Sequence, residues 1–131
     1  MTVQITRENF TAAMRAAVAE RGADWVYPAQ GSELAEQGWR SEEGTCVYVL
    51  PDGSPACLIG LALYKIDPSL LTHVEFQYHD ASMVMSRAGV QDELLLLAAD
   101  MAQDGQDVGM PWGDALSEYE RVLRTAGDVA Q

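Results

Sequence analysis

The sequence predicts an α+β fold: four or five helices packed on a small, mostly antiparallel sheet of two or three strands. Three observations point there. Apolar residues recur at helical spacing around 10–18, 94–102 and 112–123. Residues 72–79 (THVEFQYH) alternate apolar and polar, the period of a half-buried strand. Thr45–Leu50 (TCVYVL) is a short β-branched and aromatic run followed by Pro51-Asp52-Gly53, a tight-turn sequence. With 131 residues, 48% of them apolar and 21% charged, the chain reads as a single globular domain over 1–131.

Taken in order, Thr6 is a helix N-cap, with Ile5 before it and Phe10 placed as a hydrophobic staple. Phe10, Ala13, Met14, Ala17 and Val18 form one stripe, and Gly22 is a natural stop, so a first helix is expected over about 7–21. Asp24–Tyr27 (DWVY) before Pro28 reads as an edge strand. Residues 29–44 hold three glycines and four glutamates around Leu34 and Trp39, which predicts a long surface loop with one helical turn near 32–37. The run from Ala56 to Ile66 is apolar all round. Periodicity leaves helix and strand both open, and the preceding Ser54-Pro55 together with its length favours a helix. Asp67-Pro68 repeats that start signal for a short turn over 68–71. Asp80 is expected to cap a helix ending near Arg87. Gln91–Gln103 is expected to form another, closed by Gly105. Pro111 opens a last helix stopping at Gly127, with Glu118–Arg121 and Glu120–Arg124 spaced to pair along it.

Charge is the strongest functional signal. Twenty acidic residues face eight basic ones, a net of −12, and a single lysine, Lys65, is among them. Residues 91–131 hold nine acids and two bases, leaving −7, against −3 for 1–44 (seven and four) and −2 for 45–90 (four and two). Such a balance repels nucleic acid and anionic membrane and favours basic partners. No apolar run approaches the roughly 18 residues of a membrane span. The start, MTVQITRENF, lacks the basic-then-apolar pattern of a secretory signal, so the cytoplasm is the expected compartment. There, Cys46 and Cys57 are expected as buried apolar groups and not as a disulfide, and their spacing excludes a CxxC metal motif.

Three constellations are candidates for function. On α-helical spacing Glu93, Asp100 and Asp104 share a face, with Asp107 just beyond, and Asp114 and Glu118 are four apart on the next helix. Carboxylates one turn apart lie about 5–6 Å from each other, comparable to phosphates along a nucleic-acid strand, so the ridge suits a basic surface and could act as a DNA mimic. Trp39, flanked by polar residues, is the aromatic best placed to touch a partner. His73, Glu75 and His79 share one face of the expected strand and have the chemistry of metal ligands, but positions 73 and 79 would stand about 20 Å apart on a strand, too far for one ion. No nucleophile elbow, zincin, P-loop or dinucleotide motif is present, and no cofactor is expected.

CVYVLPDGSPACLIGLAL and the later LLLLAADMAQDGQDVGMPWGDAL resemble a pattern in small proteins of actinobacterial phages and their hosts, through Gly53, Pro55, Cys57, Gly60 and Leu63 in the first block and Ala102, Gln103, Asp104, Trp112, Gly113 and Ala115 in the second. These residues read as packing positions, so the resemblance implies a phage or mobile-element origin and supplies no activity. The leading expectation is a non-enzymatic, phage-encoded protein that binds a host macromolecule, a basic or DNA-binding protein, through its acidic C-terminal helices or the 29–44 loop that carries Trp39. The alternatives are a small metal-dependent hydrolase using His73, Glu75 and His79, and a homo-oligomeric assembly protein, with a homodimer the simplest form.

Overall fold

A computed structural model describes residues 4–29, 31–40, 47–71 and 80–129, and helices carry its architecture. Helix α1 spans Arg7–Arg21 and opens on a capping box: Thr6 Oγ1 accepts the Asn9 amide at 3.1 Å while Asn9 Oδ1 accepts that of Thr6 at 2.8 Å. Its buried stripe is Phe10, Ala13, Met14, Ala17 and Val18, and it stops at Gly22. A short turn, Ala35–Trp39, lies in the expected loop. Helix α2 spans Leu58–Ile66 and is followed by a tight 3₁₀ turn over Pro68–Leu71. Helices α3 (Ala81–Arg87), α4 (Glu93–Asp107) and α5 (Trp112–Val129) complete the chain. The main pairings are α4 on α5, α1 on α2 and α3 on α4, with α1 also on α5. Phe10, Met14, Leu58, Ile59, Leu63, Met85, Leu95, Trp112 and Tyr119 meet in one core.

Among the described residues there is no strand and no sheet, which corrects the α+β expectation. Segment 24–27 explains one part of the error. The carbonyl of Trp25 accepts the Trp112 amide at 2.9 Å and that of Ala23 accepts the Gly113 amide at 2.8 Å. These carbonyls satisfy amide groups that the first turn of α5 leaves without an intrahelical partner, so they are not available to a neighbouring strand. The close approach needs a glycine, since a Cβ on Gly113 would lie 2.7 Å from that of Ala23.

The second part concerns 45–50, of which 45 and 46 lie outside the described residues. Val47 and Tyr48 are both buried, although neighbours on a strand face opposite ways. The Tyr48 carbonyl accepts the Ala56 amide at 3.0 Å, Leu50 N–H reaches the Ser54 carbonyl at 2.8 Å, and a single antiparallel bridge joins Val49 to Pro55. The segment is therefore a loop folded over the Pro51-Asp52-Gly53 turn and laid on α2. Gly60 makes that possible: a Cβ there would sit 2.5 Å from the Tyr48 carbonyl oxygen. The third expected strand, 72–79, lies outside the described residues.

Smaller differences have equally local causes. Helix α2 takes its cap from Cys57 and not from Ser54: Cys57 Sγ accepts the Gly60 amide at 3.3 Å, and the buried Gln106 Oε1 on α4 accepts that of Leu58 at 2.7 Å. Gly105 does not end α4, which continues to Asp107 before Gly109 turns the chain at φ 93°. Helix α5 passes Gly127 and runs to Val129. Glu120 pairs with Arg15 on α1 at 2.7 Å and not with Arg124, whereas Glu118 and Arg121 do pair, also at 2.7 Å.

Candidate functional site

Two regions concentrate charge or aromatic surface. The first is the outward face of α4. At 3.6 residues per turn Glu93, Asp100, Asp104 and Asp107 fall within about 60° of arc. Glu93, Asp104 and Asp107 are exposed, as is Asp114 on α5. Asp100 is turned to other use. Asp80 makes no side-chain bond to the start of α3, and Asp100 Oδ1 instead accepts the Ser82 amide at 2.7 Å, capping α3 from the neighbouring helix. Glu118 is engaged with Arg121, so the face open to a partner is smaller than the sequence suggests.

The acids on α4 also differ in how their own helix treats them. Glu93 in the first turn of α4, and Asp114 in the first turn of α5, sit at the positive end of the helix dipole. Asp104 and Asp107 close α4 at its negative end, with no basic residue in that turn. Helices α1, α2 and α3 each end on a cation: Arg21, Lys65 and Arg87. Partial burial, then the nearby carboxylates of Asp100, Asp107 and Asp80, hold the Asp104 carboxyl above its ordinary range. Four cations are matched with acids elsewhere: Arg7 grips Asp92 through two bonds, Lys65 meets Glu20 at 2.8 Å, and Arg15 and Arg121 take Glu120 and Glu118. No such pair reaches Glu93, Asp104, Asp107 or Asp114 among the described residues. Leu97, one turn from Glu93, is 52% exposed, and Val108 beyond Asp107 is 84% exposed.

The second region surrounds Arg21. Its guanidinium lies 4.9 Å from the ring centre of Trp25, 5.2 Å from Trp39 and 4.8 Å from Trp112. It donates to the carbonyls of Ala56 and Pro55, the latter at 2.9 Å. Desolvation pulls its pKa below the ordinary arginine value. Trp39 is half-buried: its carbonyl accepts from the Tyr27 hydroxyl, and its ring packs tilted on Trp25 and edge-on to Tyr27 at 5.9 and 5.6 Å. Gly38, at φ 107°, brings this turn onto the Pro51 ring, where a Cβ would lie 2.6 Å from Cδ. Gly38, Trp39 and Arg40 of the expected surface loop are thus pinned to the core, while Gly31, Glu33, Leu34, Glu36 and Gln37 are exposed. Sequence reasoning overlooked Arg21 and Lys65; the available signal was a scarce cation placed four residues before Trp25, and the lone lysine.

His73, Glu75 and His79 lie outside the described residues, as does Cys46. Among the described residues no group of three histidines, cysteines or carboxylates is arranged to hold a metal. Cys57 is a free, buried thiol whose pKa burial pushes up to about 12, which makes it a poor nucleophile. No helix of the described residues is long and apolar enough to cross a membrane. No family model matches the chain, and neither a curated protein nor a solved structure does.

Proposed function

We propose that the protein is a non-enzymatic, phage-encoded interaction protein of the cytoplasm that docks the outward face of α4 on a basic host protein, with a DNA-binding protein the best electrostatic match. The observation that carries this reading is the placement of Asp104 and Asp107 at the wrong end of their helix dipole. Carboxylates there cost about 0.3–1 kcal/mol each at a surface position. Cations close α1, α2 and α3, whereas α4 ends without one, as α5 also does. A basic surface laid against Glu93, Asp104 and Asp107 would relieve that repulsion, and Leu97 and Val108 offer apolar contact beside the charge.

The test separates binding from folding. Glu93→Lys, Asp104→Lys and Asp107→Lys are combined, leaving Asp100 in place because it caps α3. The triple variant is expected to resist urea at least as well as the parent yet lose the salt-sensitive partner captured from an actinobacterial lysate. A partner retained by the triple variant at low and high salt would overturn the reading.

A further inference from the structure

A groove of about 550 Å³ lies between the end of α1, helix α2 and the 50–55 turn. Arg21 and Lys65 line it together with Glu20, and its apolar wall comes from Trp39, Tyr64, Leu61 and Pro55. It shares no residue with the acidic face of α4. We propose that this groove is a binding site for a carboxylate carried on a flat apolar body.

The chemistry of the two cations argues for an anion. Arg21 is half-buried and stacked among three indoles, and both of its described hydrogen bonds go to neutral carbonyls. No carboxylate reaches it within ion-pair distance among the described residues. A partly desolvated guanidinium whose described bonds go only to neutral carbonyls, with the Glu20 carboxylate acting on it from beyond ion-pair distance, gains more from an incoming negative charge than one already paired. Lys65 already shows how that charge is held. Its ammonium has three donors, and the one described bond goes to the Glu20 carboxylate at 2.8 Å. Glu20 is itself 53% exposed, so it can yield its place or share the ammonium.

The wall argues for the body of the ligand. Tyr64 is 39% exposed although it is a large aromatic, and Trp39 presents part of its ring to the same space. Flat apolar groups stack on such surfaces at low entropic cost. The volume falls within the roughly 300–1,000 Å³ usual for small-ligand sites. The same chemistry has two sources, a free aromatic acid or the carboxyl terminus of a peptide ending in an aromatic residue.

The full chain labelled with ¹⁵N is titrated with 2-naphthoate, with the neutral 2-naphthamide and with the cationic 2-naphthylmethylamine. A pentapeptide ending in tryptophan, as free acid and as amide, forms the second arm. The expected result is movement of the Ser54, Tyr64 and Lys65 amide signals, with each acid binding at least about tenfold more tightly than its amide, the contribution of one charge-assisted hydrogen bond. Lys65→Gln should remove that preference, and Glu20→Gln should tighten acid binding by freeing the ammonium. Whichever acid binds more tightly identifies the source. Equal affinity for acid, amide and amine, or no movement of these signals at about 5 mM ligand, a Kd too weak to matter, would overturn the proposal.

Discussion

The Arg21 region and the end of α4 handle charge in opposite ways. Around Arg21 a cation is drawn into the protein, stacked on three tryptophans and fastened to carbonyls, so that it holds α1, the 55–56 backbone and the indoles together. At the end of α4 two anions, Asp104 and Asp107, are turned outward without a cation beside them. One arrangement raises the stability of the fold, and the other lowers it in return for a surface potential.

Breaking the stabilising region should have the largest effects. Trp112→Ala is expected to cost about 4 kcal/mol in urea unfolding, since the ring is fully buried against Trp25. Arg21→Lys should cost about 2 kcal/mol, because a lysine cannot span both carbonyls and stack on the indoles as the planar guanidinium does. Were that variant as stable as the parent, the stacked cation would not be the fastening described above.

The α4 side should show smaller effects, and of both signs. Asp100→Ala uncaps α3 and should lose about 1 kcal/mol. Asp104→Asn should instead gain a few tenths of a kcal/mol at neutral pH. The pH dependence sharpens the contrast. The Asp104 carboxyl titrates higher in the folded protein than in the unfolded chain, so its protonation favours folding; this contribution is full below the unfolded value near 4 and is lost as pH rises through the folded one. The advantage of Asp104→Asn should therefore shrink on acidification. Asp92 runs the other way, because Arg7 holds its carboxyl below the ordinary range. Its contribution is present above pH 4 and is lost as pH falls through the lower folded value, so the deficit of Asp92→Asn should also close in acid, from the opposite side. Parallel behaviour of the two variants would break the comparison.

The helices were legible because their apolar stripes are local, although the caps of α2 and α3 draw on α4. Thr6, Asn9 and Gly22 delimit α1 within the segment itself, and the periodicity of Phe10 to Val18 needs no knowledge of its neighbours. The sheet was misread for the converse reason. The β-like composition of 24–27 and 47–50 reflects large side chains needed in the core, while the carbonyls of Trp25 and Tyr48 go to Trp112 and Ala56, residues 87 and 8 positions away that no local pattern reveals. Asp100 was placed correctly on its helix face, yet its role is set by Ser82 on another helix. Glycine carried information that was read only as packing and not as the sites of particular crossings. Gly60 and Gly113 stand inside helices, where the residue costs about 1 kcal/mol relative to alanine, and each marks a backbone crossing.

The cap of α2 gives the molecule a chemical clock. Cys57 lies at 0% exposure with its sulfur turned to the Gly60 amide, so a disulfide reagent in solution can reach it only when the start of α2 swings open. In a Cys46→Ser background the chain has one thiol left. Its rate of modification without denaturant then counts those openings one by one and converts into their free energy. Adding a ligand for the groove beside α2, or a partner for α4, and watching the clock slow would show which binding event steadies the shared core.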